Sequence, residues 1–195
     1  MKFLLSSITL TFLLIACTPK KPVLKDYGQA LAFTSINQNG VILNEKSFIG
    51  KVQCINFFFI HCQGVCPAMN SKVYEVQQEF LGNEDLKFIS HTLDPTNDDM
   101  NALKDYAINF EADTTQWHFV REKQTSDVYT LSKEGYFLTA DRDLSKDPTK
   151  DDTAIDHTGR VVLIDKKGII RGYYNMLESQ SVTNLKNAIT FLLEE

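Results

Sequence analysis

The sequence predicts an α/β fold in which a central mixed sheet is covered by helices on both faces. Segments with the pattern of strands alternate with segments that have the 3–4 residue spacing of helices, and the chain finishes with a hairpin and a last helix. The strongest strand, residues 51–60, is apolar on both of its faces. A strand of that kind is typical of the centre of a parallel sheet that is covered on both sides.

The first 16 residues have the pattern of a secretory signal peptide. A short basic start is followed by an apolar stretch that is too short to span a bilayer stably. The stretch ends in the letters LIAC, which are similar to the lipobox of bacterial lipoproteins, and the final letter is Cys17. We therefore expect lipidation of Cys17, with residues 17–27 as a tether. The alternative is an ordinary signal peptide with an incidental cysteine.

Residues 28–195 are enough for one domain with a sizeable core, and they contain no second apolar run of membrane-spanning length. The net charge of −5 argues against nucleic-acid binding, which needs a basic surface. With Cys17 acylated, the protein would be a bacterial membrane lipoprotein whose domain faces the periplasm or the cell exterior. Thiols in such an oxidising space need a reductant to stay reduced.

The first half of the domain is predicted to contain a hairpin, two strands and two helices. Residues 30–36 and 41–43 flank an Asn-Gly turn signal, which predicts an N-terminal hairpin before the central strand. Residues 67–81 have apolar side chains at helical spacing and a glycine just past the end, which predicts a helix. A strand over residues 86–93 follows, and Asp98 is interpreted as the N-cap of the next helix.

The second half begins with a short strand at residues 117–120 and a weak helix at 126–132. From residue 140 to 156 the composition turns polar and rich in aspartate, which predicts an inserted loop or loose hairpin on the surface. Apolar runs on either side of Lys167-Gly168 predict a further β-hairpin, and residues 181–193 have the pattern of an amphipathic helix.

Cys62 and Cys66 form the most informative pattern in the chain. They follow an apolar strand and precede Pro67, which is tolerated at the first position of a helix. Both sulfurs should therefore lie at the positive end of a helix, where the pKa of a thiol falls and the thiolate is favoured. At helical i, i+4 spacing the pair could share a soft cation or close a disulfide. A purely structural disulfide is the alternative.

A dithiol at the end of a central strand, followed by a helix and a late hairpin, is the layout of the thioredoxin fold. Thioredoxin-like proteins commonly carry a cis-proline beside the dithiol, just before an apolar strand that ends in Leu-Ile-Asp. Here the corresponding segment is residues 156–165, and His157 stands near where the proline would be. Two thiolates and one imidazole form a ligand set suited to Cu(I), and the same ligand types can hold Cu(II).

These residues make the chain resemble the SCO/SenC family from about residue 30 to the C-terminus. The motifs that carry the resemblance are CQGVCP, LDP with an aspartate after it, and DHT. The resemblance implies copper binding by Cys62, Cys66 and His157, and assistance in assembling the binuclear copper centre of cytochrome c oxidase. The copper-site subunit of a respiratory oxidase would then be the partner. A metallochaperone, rather than an enzyme, is expected.

Two other functions stay open. The first is an extracytoplasmic thiol-disulfide oxidoreductase that uses Cys62 and Cys66 without a metal, although the three-residue spacer and His157 weigh against it. The second is a thiol peroxidase, which needs one peroxidatic cysteine with supporting groups, and Trp117 is the only tryptophan. The oxidoreductase is the stronger of the two.

Other residues with chemical potential have more ordinary interpretations. Cys54, inside the central strand, is expected to pack as a small buried hydrophobe. His61 should point away from the dithiol, and His91 and His118 are expected to be structural or at the surface. Asp156 either orients His157 as a hydrogen-bond acceptor or is solvated.

Overall fold

The computed structural model describes residues 22–195, so the predicted signal peptide and Cys17 lie outside the described residues. Within this range no helix has the length and apolar character needed to cross a membrane. The helices are α1 (Val65–Glu79), α2 (Met100–Asn109), α3 (Thr125–Thr130) and α4 (Ser179–Glu194). The strands are β1 (Thr34–Asn37), β2 (Ile42–Asn44), β3 (Val52–Phe58), β4 (Leu86–Thr92), β5 (Trp117–Arg121), β6 (Ala140–Arg142), β7 (Ile155–His157), β8 (Arg160–Ile164) and β9 (Ile170–Asn175).

Seven strands form one mixed sheet in the order β2-β1-β5-β4-β3-β8-β9. The three inner strands β5, β4 and β3 are parallel, and β8, β9, β1 and β2 are added in antiparallel fashion. Strands β6 and β7 form a separate two-stranded ribbon. The predicted fold class is confirmed, including the N-terminal hairpin, which is the β1–β2 pair.

The central strand β3 is buried along its whole length and separates the two layers of the core. Helices α1 and α2 connect neighbouring parallel strands, and right-handed crossovers place both on the same face of the sheet. On that face the ring of Phe58 stacks on Tyr106 of α2, with 4.9 Å between centroids. The next residue back, Phe57, points to the opposite face and contacts Tyr136, 5.9 Å away.

Some predicted boundaries are wrong for identifiable reasons. The N-cap of α2 is Asp99, whose side chain accepts a hydrogen bond from the N–H of Ala102 at 2.9 Å. Asp98, the predicted cap, is buried against the end of β3, where the N–H of Ile60 bonds to it. Two consecutive aspartates give the same capping pattern, and only tertiary contacts distinguish them. Helix α1 starts at Val65, earlier than predicted.

Candidate metal centre

The two predicted cysteines lie where β3 leads into α1. The N-cap of α1 is Gly64, which has no side chain that could accept a hydrogen bond from the first turn. The Sγ atom of Cys62 accepts one from the backbone N–H of Cys66, at 3.5 Å. The sulfur therefore does part of the work of a capping side chain, and it lies at the positive end of the helix dipole.

His157 is the last residue of β7 and faces the dithiol. Its Nε2 atom lies 3.5 Å from Sγ of Cys62 and 3.2 Å from Sγ of Cys66. The edge of Phe59 meets the imidazole, with 5.5 Å between centroids and an interplanar angle of 89°. The three ligand atoms all lie within 4.8 Å of one another, and in residues 22–195 no other set of three His, Cys, Asp or Glu residues converges in this way.

The two thiols have different electrostatic environments. The hydrogen bond with the Cys66 thiol, and next the contacts with His157 and with the backbone N–H of Cys66, hold the pKa of Cys62 well below its usual range, although burial opposes them. Burial raises the pKa of Cys66, and the hydrogen bond to Cys62 raises it further. Cys62 is therefore the thiolate of the pair and Cys66 the thiol that donates to it. Cys62 is 8% exposed, whereas Cys66 is fully buried.

Two of the three donors, Cys62 and His157, line a cleft of about 350 Å³. The residues that line this cleft are Cys62, Gly64, Val65, Thr153, Ile155, Asp156 and His157. Two sulfurs and one imidazole nitrogen at these separations fit a thiophilic metal ion, and copper is the ion that combines thiolate and imidazole in both of its common oxidation states. The same two sulfurs can also close a disulfide if they are oxidised.

The connection from β7 to β8 passes close to the cysteine loop. At Gly159 a Cβ atom would lie 2.8 Å from a methyl group of Val65 and 3.3 Å from Leu177. The backbone N–H of Met176 bonds to the carbonyl of Gly159 at 2.9 Å. A glycine therefore lets the histidine-bearing segment approach the loop between Cys62 and Cys66.

Asp98 is hydrogen-bonded to the backbone two residues before Cys62. Its Oδ2 atom accepts hydrogen bonds from the N–H of Ile60, at 3.1 Å, and from the hydroxyl of Thr92. Burial raises the pKa of its carboxyl group to about 6. This role differs from the helix cap that the local sequence predicts, and the family motif LDP with its trailing aspartate is the signal that could have indicated it.

None of the remaining candidates belongs to the group of three ligand atoms. Cys54 is buried, as expected for a small core residue, and burial raises the pKa of its thiol. His61 is exposed. Burial lowers the pKa of His118 to about 4. Asp156 is exposed on the other face of the ribbon from His157, and no partner for Nδ1 of His157 exists among the described residues.

His91 has a buried partner that the sequence did not indicate. Its Nδ1 atom lies 2.7 Å from Oε1 of Glu122, which also accepts a hydrogen bond from the hydroxyl of Ser35 at 2.7 Å. His91 is fully buried and Glu122 is 3% exposed. The two residues lie 31 positions apart, so only the pairing of β4 with β5 brings them together.

Comparison with known proteins identifies the family. The sequence model of the SCO1/SenC family matches residues 25–190. The chain belongs to the SCO1/SenC family. Among curated SCO1/SenC relatives, a SCO2-like protein of Rickettsia typhi is 31% identical over 189 residues, which cover 89% of this chain and 87% of the relative.

Solved structures confirm the thioredoxin-like fold of this SCO1/SenC chain. A SCO1/SenC family lipoprotein from Bacillus anthracis superposes with a TM-score of 0.77 at 24% identity, covering 87% of this chain and 98% of that one. BsSco superposes with a TM-score of 0.69 at 24% identity, covering 86% of this chain and 98% of BsSco. It is described as a member of the Sco family of cytochrome c oxidase assembly proteins and as having a disulfide switch. Copper-bound ScoI of Bradyrhizobium japonicum superposes with a TM-score of 0.67 at 24% identity, covering 83% of this chain and 99% of that one.

Proposed function

We propose that this SCO1/SenC protein binds copper through Cys62, Cys66 and His157 and assists assembly of the binuclear copper site of a cytochrome c oxidase. The observation that carries the proposal is the approach of one imidazole nitrogen to both sulfurs, at 3.5 and 3.2 Å. Copper bound to a protein of the same fold, and the oxidase-assembly role described for another, support it.

The residues have separate parts in binding copper as cargo. Cys62, already the thiolate of the pair, is the first donor that an incoming ion meets, since it is the more exposed sulfur. Cys66 loses its proton when the ion binds, because a metal deprotonates a thiol that coordinates it. His157 adds a nitrogen donor, which matters more for Cu(II) than for the softer Cu(I). Copper uptake therefore requires both cysteines in the reduced form.

The location of the protein is part of the proposal. Cleavage before Cys17 and acylation of that residue would tether the domain to a bacterial membrane, facing the periplasm or the cell exterior. The lipobox-like letters LIAC support the tether. The copper-site subunit of a respiratory oxidase is the proposed partner, and a tethered domain would meet it at the membrane surface.

The decisive experiment compares His157→Ala with His61→Ala in the reduced protein, titrated with Cu(I) against a competing chelator and separately with Cu(II). We expect His157→Ala to abolish or greatly weaken Cu(II) binding and to weaken Cu(I) binding less. His61 is exposed and flanks the same cysteine, so His61→Ala should bind both ions as the wild type does. Unchanged binding of both copper states by His157→Ala would refute the proposal.

A second candidate, the thiol-disulfide oxidoreductase, is favoured by the thiolate character of Cys62. In that case His157 acts on the thiols alone, through their pKa values and their exchange rate. Its test is a disulfide-exchange assay on the same two histidine variants. Loss of exchange by His157→Ala, together with wild-type copper binding, would establish the oxidoreductase instead of the copper carrier.

A further inference from the structure

His157, the proposed third ligand, lies on a strand that is not part of the main sheet. His157 lies in β7, which pairs with β6 in the separate ribbon, where His157 is opposite Ala140 and Ile155 is opposite Arg142. Residues two apart on a strand share a face, and so do directly opposed residues. The face that carries His157 therefore also carries Arg142. The ribbon is joined to the main sheet through the two residues between His157 and β8 but is not hydrogen-bonded into it, so other contacts must help to set the distance between the ribbon and the dithiol.

Arg142 makes a directional contact from that face to the body of the protein. Its Nη1 atom lies 3.2 Å from Oδ1 of Asp94, and the two side chains are 18% and 0% exposed. The other carboxylate oxygen of Asp94 accepts a hydrogen bond from Asn97 at 2.7 Å. Ala140 and Ile155 are also buried, but apolar contacts allow sliding, whereas an ion pair with a fully buried partner fixes one position.

The segment that contains Asp94, residues 92–98, is also hydrogen-bonded to the backbone just before the dithiol. The N–H of Asp94 bonds to the hydroxyl of Thr92 at 3.0 Å, and that hydroxyl donates to Asp98. Asp98 also accepts a hydrogen bond from the backbone N–H of Ile60, which lies two residues before Cys62. The short segment from Thr92 to Asp98 is thus bonded at one end to the ribbon of His157 and at the other to the loop of Cys62.

We propose that Arg142, through its ion pair with Asp94, is a positioning residue that sets the distance from His157 to the two sulfurs. The inference rests on the proposed copper function for its consequence, but the placement of the ribbon itself is independent of metal. Loss of the Arg142 charge leaves a buried carboxylate without its partner, so the ribbon should move or loosen. Removing a residue that orients a ligand typically lowers metal affinity about 10- to 100-fold.

The first test uses metal-free, reduced protein and the variant Arg142→Gln. Amide hydrogen exchange is measured at Asp143, whose N–H bonds across the ribbon to the carbonyl of Ala154 at 2.8 Å. We expect faster exchange there, with the amides of β3 and β4 unchanged. The matched control is Lys133→Gln, which removes an exposed ion pair to Asp141 on the same strand and should leave the exchange as in the wild type.

The second test measures copper. Arg142→Gln should lower Cu(II) affinity about 10-fold or more and weaken the nitrogen hyperfine signal of bound Cu(II), whereas Lys133→Gln should change neither. In a His157→Ala background the same change should have no further effect on Cu(I) affinity, because Arg142 acts through His157. A double variant whose loss of Cu(I) affinity equals the sum of the losses in the two single variants would overturn the proposal.

The outcomes separate the two proposals. A wild-type protein that binds no copper would remove the proposed function, and the exchange experiment would still decide whether Arg142 holds the ribbon. Wild-type exchange and wild-type Cu(II) spectra in Arg142→Gln would overturn the positioning role. If Arg142→Gln does not fold, Asp94→Asn is measured in its place, since it removes the same charge pair and keeps an acceptor for Asn97. Arg142→Lys, which keeps the charge, should recover part of the affinity.

Discussion

Asp98 illustrates how one buried carboxyl group supports the dithiol and destabilises the fold at neutral pH. It accepts hydrogen bonds from Ile60 and Thr92, and its other oxygen has no partner among the described residues. Burial is the largest influence on its pKa, which rises to about 6 from an ordinary value of 3.8. The folded state therefore favours the protonated carboxyl group. Ionisation of Asp98 above about pH 6 lowers the free energy of unfolding.

Asp98→Asn should remove this pH dependence. Because the folded pKa is above the unfolded one, the stabilising effect of the bound proton is complete below about pH 4 and is lost as the pH rises to about 6. That difference in pKa corresponds to roughly 3 kcal/mol. The amide stays neutral and its oxygen can still accept both hydrogen bonds. We therefore expect the variant to be more stable than the wild type at pH 7, by up to about 3 kcal/mol, and to lose this advantage at pH 4.

Urea unfolding of the reduced, metal-free protein at pH 4, 5, 6 and 7 measures the effect. Asp99→Asn is the control, since Asp99 caps α2 and asparagine caps equally well. A stability difference between Asp98→Asn and the wild type that stays constant over this pH range would contradict the assignment of the raised pKa to Asp98.

The sequence indicated part of the site and not the rest. Cys62 and Cys66 lie four residues apart where β3 leads into α1, so spacing alone was enough to expect their proximity. His157 lies 91 residues after Cys66, and it was indicated only by its place before the strand that ends in Leu-Ile-Asp, where thioredoxin-like proteins carry a proline, and by the SCO/SenC resemblance. The pairing of Asp94 with Arg142 spans 48 residues and depends on where an inserted ribbon folds back, which no local pattern encodes. Local preferences specify elements, whereas contacts between elements need the tertiary structure.

At the scale of elements, and besides the proposed Arg142 contact, the connection from β7 to β8 limits the distance between the ribbon and the cysteine loop. Gly159 lies two residues after His157 and has no room for a side chain beside Val65 and Leu177. The same close approach brings the imidazole within reach of both sulfurs. A larger residue at this point would push apart the two elements that supply the ligands.

Gly159→Ala should lower both the stability and the copper affinity. The new methyl group would meet Val65 at 2.8 Å, which is closer than carbon atoms normally approach, and overpacking of this kind typically costs about 1–3 kcal/mol. Gly64→Ala is the matched control in the same cleft, because a Cβ atom there has open space around it. Thermal unfolding of the metal-free protein and Cu(I) competition measure the two effects. Equal behaviour of the two variants would show that the contact at Gly159 is not restrictive.

At the scale of the whole molecule, the fold followed from the sequence more fully than the site did. The alternation of strand and helix patterns, the apolar central strand and the closing hairpin with its helix are all local signals, and the structure contains each of these elements. These local signals do not predict which strands are neighbours in the sheet. The insertion before His157 was predicted as a loop or loose hairpin from its polar composition alone, because a ribbon of two three-residue strands has too few residues for a recognisable alternation.

The proposed tether gives the whole molecule a testable property. In the full chain expressed in a bacterium, Cys17→Ser should abolish acylation and release or misprocess the protein, because the acyl chains are the proposed anchor. Thr18→Ala leaves the cysteine in place and should fractionate as the wild type does. Fractionation with mass spectrometry of the N-terminal peptide measures the outcome. An unmodified Cys17 in the membrane-bound wild type would contradict the proposed anchor.

The unpartnered Nδ1 of His157 has a consequence for how a bound ion would leave. In sites that retain their metal, the second nitrogen of a ligating histidine usually donates to an acceptor that locks the ring. Here the ribbon holds the backbone of His157, and the ring is supported by the edge of Phe59. Among the described residues, no hydrogen bond at Nδ1 therefore fixes the orientation of this ring. Under the proposed function, a competing donor on the recipient protein would displace such a histidine more easily than one whose second nitrogen is hydrogen-bonded.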